Sequence, residues 1–365
     1  MIRLAVPSID HQEARAVQAV LKSGFLVQGK TVVRFEEAVA RYLKVKHVVA
    51  VNSGTSALHL ALLAFGIGPG DEVIIPDYTF PATVNVVELT GAKPVFVDVD
   101  PMTFNIDPKA IERHITKKTK AVIPVHLFGQ SADLAPIMRL AKKYKLVVVE
   151  DAACVLGAEY KGRKSGTIGD IGCFSFHPRK VITTGEGGIA VTNNKTVADR
   201  LRILRNHGIE YKNNKIDIVA AGFNYRMTEI QAAMGLVQMK KMAGLIRARR
   251  KVAGIYNAQL RSIKWIKTPS ISSYNTHVFQ TYVIQIPGSL GRDHLISFLR
   301  KNGIEANFGT YALHKLSFYK NKYHLKASQF PITEEVFQTS IALPVFECLS
   351  VGQIRKIAAV LRKFQ

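Results

Sequence analysis

The sequence predicts an α/β chain whose mostly parallel sheet is covered by helices on both faces. Two observations predict it. Short β-rich runs alternate with amphipathic helical stretches through the first half, and hydrophobic residues make up 47% of the 365, enough for a large core.

The elements follow in order. Asp10-His-Gln-Glu13 is a capping box that opens a helix, and Gly24 marks its end. Strands are expected at 47–51, 72–75, 94–97, 121–125 and 146–150, with helical patterns between them. Asp71, Asp107 and Asp133 sit at turns or helix starts. Two more β-rich runs, 171–176 and 189–192, follow with no helix between them. A glycine-rich turn, Thr184-Gly-Glu-Gly-Gly188, separates the pair. From about 194 to 252 the chain reads as helix, interrupted by the polar segment 211–224. Ser270-Ile-Ser-Ser-Tyr-Asn275, after Pro269, reads as a linker to a second unit. That unit holds a strand at 278–286 and helices at 292–302 and 351–364. No internal repeat or low-complexity tract is visible.

Composition narrows the class. Charged residues are 21% of the chain, and no apolar run approaches the ~18 residues of a membrane span. The N-terminus turns polar too early for a signal peptide. Cys154, Cys173 and Cys348 lack metal-ligand spacing and fit a reducing compartment. His126, His177, His207 and His314 are dispersed, so no metal site is expected. These features predict a cytoplasmic protein with no membrane partner. The net charge of +23 has three readings: a basic solvated surface, attraction of anionic small molecules, or nucleic-acid binding. The densest basic cluster, Arg247-Ala-Arg249-Arg250-Lys251, lies in a helical pattern without interleaved aromatics, so no nucleic-acid partner is expected. Trp265, the sole tryptophan, is expected in a core or domain interface.

Three segments carry candidate chemistry. After the strand at 47–51, Gly54, Thr55 and Ser56 open an apolar helix. Free N–H groups there bind phosphate well, although the same opening serves any capped helix. The run Leu146-Val-Val-Val-Glu-Asp151 ends a buried strand in two carboxylates. Asp151 is placed to pair with a cation beyond the strand end, or to cap a helix. Finally, Cys173-Phe-Ser-Phe-His-Pro-Arg-Lys180 leads into the glycine turn. A lysine partly withdrawn from water there is a candidate nucleophile, and an exposed loop lysine is the plain alternative.

The SFHPRKVITTGEGG segment resembles the cofactor-lysine motif of the DegT/DnrJ family of sugar aminotransferases, which depend on pyridoxal phosphate. The likeness covers nearly the whole chain. It includes GKTVVRFE from Gly29, NSGTSALHLAL from Asn52, PDYTFPATVNVV from Pro76 and PVFVDVD from Pro94. It continues through PVHLFGQSADL from Pro124, EDAA from Glu150 and GFNYRMTEIQAA from Gly222.

The resemblance implies an aspartate-aminotransferase-like fold: a large cofactor-binding domain over 1–245 and a smaller α+β domain over 246–365. It implies pyridoxal 5'-phosphate as cofactor. Lys180 and Asp151 match the catalytic pair, the lysine that carries the cofactor and shuttles protons and the carboxylate that keeps the ring nitrogen protonated. Phe80 matches the aromatic residue stacked on the ring. Gly54, Thr55, Ser56 and Ser175 match the phosphate cradle, and Asn224 matches a phosphate ligand lent by the neighbouring subunit of a homodimer. Arg226 is a candidate for the donor carboxylate. Glu186 is a candidate for sugar hydroxyls or for capping its turn. Tyr311 and His314 resemble residues near the sugar-nucleotide end. Cys154 departs from the family, whose members commonly carry Gln or His there; a small buried hydrophobe is the plainer reading of it.

The implied reaction moves an amino group from an amino acid, glutamate in the family, to a nucleotide-linked keto-sugar in two half-reactions. Lys180 favours transfer over deoxygenation, because related dehydratases carry His in its place. The TTGEGG ending resembles members acting on 4-keto sugars more than those acting on 3-keto sugars, and a nucleotide-linked 4-keto-6-deoxy sugar is the implied substrate. A 3-keto sugar substrate and a non-turnover regulatory protein on the same fold are the alternatives.

Overall fold

The computed structural model describes residues 1–212 and 215–364. The chain opens with helix α1 (His11–Ser23). Its capping box forms as expected: Asp10 caps the first turn, and Glu13 accepts from the Asp10 N–H. Gly24 ends it in the left-handed conformation, φ 73°, which glycine adopts without strain. Helix α2 (Lys30–Leu43) buries Val32, Phe35, Val39 and Leu43, one stripe at helical spacing. Gly29 gives it no side-chain cap. That task falls to Glu229, 200 residues away, whose carboxylate accepts the N–H groups of Gly29, Thr31 and Val32 at 3.0, 2.8 and 2.8 Å.

The central sheet is then laid down. Strand β1 (His47–Val51) leads into α3 (Gly54–Ala64), which is apolar nearly all round and buried accordingly. There follow β2 (Glu72–Pro76), the short β3 (Tyr78–Thr79), α4 (Ala82–Leu89) and β4 (Lys93–Val97). Next come α5 (Pro108–Arg113), β5 (Thr119–Val122), α6 (Leu134–Tyr144) and β6 (Val147–Asp151). A small hairpin, β7 (Glu159–Tyr160) and β8 (Arg163–Lys164), precedes β9 (Ile171–Ser175) and β10 (Gly188–Thr192).

Seven of these strands form one sheet in the order β1-β10-β9-β6-β5-β2-β4. Only β10 runs against the rest. The missing helix between the runs at 171–176 and 189–192 has this meaning: β9 turns straight back into β10. β5 stops short of the expected 121–125 because Pro124 has no N–H to give the ladder. Its carbonyl still accepts from Asp151, and Val125 keeps a single bridge to that residue.

The stretch read as interrupted helix resolves into α7 (Lys195–Arg205), strands β11 (Ile209–Lys212) and β12 (Lys215–Ile218), and α8 (Glu229–Leu260). The expected polar break at 211–224 is therefore partly an antiparallel strand pair, Ile209 opposite Ile218. Asn213 and Asn214 within that break lie outside the described residues.

α8 runs unbroken through position 245, where the domain division is expected. Its later turns, with Val252, Ala253, Tyr256 and Leu260, enter a second apolar cluster. That cluster is completed by β13 (Tyr282–Gln285), α9 (Arg292–Lys301), the later β16 (Ser340–Leu343) and α12 (Val351–Arg362). Between them lie β14 (Asn307–Phe308), β15 (Tyr311–Ala312), α10 (Ser317–Tyr323) and α11 (Pro331–Thr339). β13, β16 and β14 make a small antiparallel sheet. The strand expected at 278–286 shrinks to β13 because Phe279 takes φ 50° and Val278 bonds Gly129 instead. Trp265 packs on the second cluster, its ring 6.2 Å from Phe364.

The basic run 247–251 is not a free cationic face. Arg249 is 1% exposed, pairs with Glu347 at 2.7 Å and donates to the carbonyls of Phe279, Gln280 and Val345. Among the described residues, no helix is long and apolar enough to cross a membrane.

Candidate active site

β1, β6 and β9 are mutually parallel, so their carboxyl ends open at one edge of the sheet, where open α/β sheets take their ligands. Each end delivers an expected residue. Beyond β1, Ser53 caps α3 by accepting from the Ser56 N–H at 3.0 Å. Gly54 and Thr55, as first-turn residues, have N–H groups with no partner inside the helix. β9 ends on Ser175, directly against Gly54: a Cβ on Gly54 would stand 2.8 Å from the Ser175 Cβ. A Cβ on Gly188 would stand 2.4 Å from the Ser53 carbonyl. Glycine at both places is what lets the α3 opening, Ser175 and β10 lie together as a cradle. The Ser56 hydroxyl gives its proton to Asn52 Oδ1 at 2.6 Å, which sets the turn from within.

β6 ends on Asp151, which is 6% exposed. Its Oδ1 accepts from the Ala153 N–H at 3.2 Å, and its Oδ2 accepts from the Thr83 hydroxyl at 2.8 Å. The preceding Glu150 points the other way. It accepts from Gly166, Ile168 and Gly169 N–H groups and from His126 Nε2, and thereby ties down the loop that feeds β9. Burial alone would raise the Glu150 pKa, but His126 and the backbone donors outweigh it and hold the group below the usual carboxylate range.

Lys180 lies in the β9–β10 connection, half-buried, and its Nζ donates to Cys154 Sγ at 3.1 Å. Cys154 is three residues beyond Asp151, so the lysine reaches back over the end of β6. Phe80 follows β3 and is 60% exposed, its ring 5.9 Å from Tyr311. β15 pairs with β3, Tyr311 opposite Thr79, which brings Tyr311 to this edge.

The remaining candidates spread around the rim. Arg226 bridges to Val51 at the end of β1 and donates to Asn206 Oδ1 at 2.6 Å. Asn224 is exposed, and its carbonyl accepts from Asn52 Nδ2 at 3.4 Å. Glu186 is exposed in the glycine turn, 4.0 Å from His177. His314 is buried, with both ring nitrogens committed: Nδ1 to Asp77 at 2.5 Å and Nε2 to Glu334 at 2.9 Å. Asp77, Glu334 and Thr83 were not singled out from the sequence. A hydroxyl among the apolar residues of Pro81-Ala-Thr-Val-Asn-Val-Val87 was the available signal for Thr83. No cluster of three or more metal-ligating side chains occurs among the described residues.

The model of the DegT/DnrJ/EryC1/StrS aminotransferase family matches residues 7–362. The GDP-perosamine synthase of Caulobacter vibrioides is 41% identical over 364 residues, covering 99% of this chain and 97% of the relative. The UDP-4-amino-4-deoxy-L-arabinose–oxoglutarate aminotransferase of Shewanella sediminis is 36% identical, covering 98% of this chain and 96% of its own length. Among solved structures, the PLP form of Spr1654 from Streptococcus pneumoniae superposes with a TM-score of 0.94 at 31% identity, covering 100% of this chain and 99% of the other.

Proposed function

The chain belongs to the DegT/DnrJ/EryC1/StrS aminotransferase family, and from that premise we propose that it transfers an amino group from glutamate to a nucleotide-linked 4-keto-6-deoxy sugar. It is a sugar aminotransferase, and its cofactor is pyridoxal phosphate. The observation that carries the site assignment is the convergence of the α3 opening, Ser175, Asp151 and Lys180 at the ends of three parallel strands. The residues present fit the cofactor: a cradle only glycine allows, a carboxylate with its oxygens aimed by two donors, an exposed aromatic face and a lysine amine.

Bound there, the cofactor supplies an electron sink and a carrier for the amino group. In this reading the Gly54 and Thr55 N–H groups and the Ser175 hydroxyl hold its phosphate. Phe80 covers one ring face, and Asp151 holds a proton on the ring nitrogen. Lys180 Nζ takes the α-proton of the amino donor and later delivers a proton to the sugar carbon that receives nitrogen. Arg226 and Glu186 line the substrate side, with Tyr311 toward the nucleotide; His314, expected beside it, is instead buried with both ring nitrogens spent on Asp77 and Glu334 and braces the fold there.

The 4-position and the donor are supported by the second relative's name, which puts the amino group at C4 and pairs it with oxoglutarate. The +23 charge suits a diphosphate-bearing substrate. A homodimer with shared sites is supported by exposed apolar residues, Phe25, Val27, Tyr211 and Ile216, and by the outward Asn224. The test has two parts. Borohydride reduction and peptide mapping should place the cofactor on Lys180; a label on another lysine overturns the assignment. A panel of nucleotide-linked 3-keto and 4-keto sugars with glutamate should give an amino-sugar from the 4-keto members. Product from 3-keto sugars alone, or none from the whole panel, overturns the substrate reading.

A further inference from the structure

The hydroxyls of Thr79 and Thr83 are both 0% exposed and lie 3.1 Å apart. Thr83 Oγ1 continues to Asp151 Oδ2 at 2.8 Å. A hydroxyl has one proton to give. Since an ionised carboxylate only accepts, Thr83 spends its proton on Asp151 and takes the proton of Thr79 on a lone pair. The chain therefore runs one way, Thr79 to Thr83 to Asp151, and each bond polarises the next. The other oxygen of Asp151 accepts a backbone N–H. Both carboxylate oxygens are thus held in place, one by the Thr83 hydroxyl and one by the Ala153 N–H.

The two threonines also hold the aromatic face to the carboxylate. Thr79 precedes Phe80, and the Thr83 N–H donates to the Phe80 carbonyl at 3.2 Å. Thr79 is paired across to Tyr311. One buried hydroxyl thus joins the segment that carries Phe80 to the strand end that carries Asp151. Valine at either position would fill the same volume, so the hydroxyls are not there for packing.

We propose that Thr83, fed by Thr79, is a positioning residue that orients the charged Asp151 carboxylate at the ring nitrogen of the cofactor. This rests on the site reading above. The test uses the full chain loaded with pyridoxal phosphate carrying 15N in the ring, and follows the 15N resonance, which reports the nitrogen's protonation. Thr83→Val, melting close to wild type without cofactor, should move the resonance toward the unprotonated position. It should lower kcat about tenfold with KM for the sugar unchanged. Thr83→Ser should restore both. If Thr83→Val fails to fold, Thr79→Val carries the same expectation with a smaller shift. An unmoved resonance in the folded valine variant overturns the proposal. Asp151→Asn separates the two readings. If it shifts the resonance while Thr83→Val does not, only the role of Thr83 falls. If it too leaves the resonance in place, the site reading falls and takes that role with it.

Discussion

Lys180 Nζ donates to Cys154 Sγ at 3.1 Å, joining the β9–β10 connection to the segment just past Asp151. An amine and a thiol this close can both be captured by o-phthalaldehyde, which links them in a fluorescent isoindole. In cofactor-free protein with the exposed Cys348 replaced by serine, the reagent should produce that fluorescence. It should be absent in Cys154→Ser and Lys180→Arg, and suppressed by bound pyridoxal phosphate. Fluorescence that persists in Cys154→Ser would show that the pair is not in contact.

His314 sits between Asp77 and Glu334, and Glu334 is further paired with Lys315 at 2.7 Å. Burial works to lower the His314 pKa, but the two facing carboxylates outweigh it and raise the group above its ordinary 6.5. A raised folded-state value means the charged histidine contributes its full stability below the unfolded value and loses it as pH rises through the folded one. His314→Gln strips one partner from a buried ion pair, a loss of roughly 3–5 kcal/mol while the histidine is charged. The Tm gap between wild type and variant should be widest below about pH 6.5 and narrow as the pH rises above it. A gap that stays constant through that rise would show that His314 does not titrate there.

Glu229 caps α2 from the first turn of α8 with three accepted backbone bonds. Removing a charged acceptor from these donors, one buried and two half-buried, costs about 2–3 kcal/mol. Glu229→Ala should lower Tm, and hydrogen exchange should quicken at the amides of Gly29, Thr31 and Val32. Unchanged exchange at those amides would place any loss of stability elsewhere.

These relationships mark where sequence reading ends. The capping box at Asp10, the Gly24 stop and the sheet strands were legible because each signal is local. The absence of a helix between the runs at 171–176 and 189–192 was legible too, but not their antiparallel pairing. The strand pair after α7 was missed although Ile209, Tyr211, Ile216 and Ile218 alternate. These residues are half-buried or exposed, and their Asn-rich setting reads as loop. The family motif pointed to Lys180 and Asp151. The groups that hold such residues come from afar in sequence: Thr83 lies 68 residues from Asp151, Asp77 lies 237 from His314, and Glu229 lies 200 from Gly29. Nothing periodic in a chain links positions so distant, because their pairing is fixed only when strands and helices meet.

Asn224 is exposed, and its backbone lies beside Asn52 at the mouth of β1, close to where the phosphate cradle opens. If it serves the phosphate of a second copy, each site draws Lys180 from one chain and Asn224 from the other. Lys180→Ala and Asn224→Ala would then each damage both sites of a uniform dimer. A hybrid dimer would collect both defects in one site and leave the other intact, because a two-fold axis exchanges the contributions. Mixing the two variants and allowing exchange should restore activity to about a quarter of wild type when dimers form at random from equal amounts. Borohydride labelling should find cofactor on Lys180 of the Asn224→Ala chain alone. If Asn224 serves its own chain, or merely caps the approach to α8, the hybrid holds no intact site. Activity then stays at the level of the separate variants after mass spectrometry has verified exchange, and the shared site is wrong.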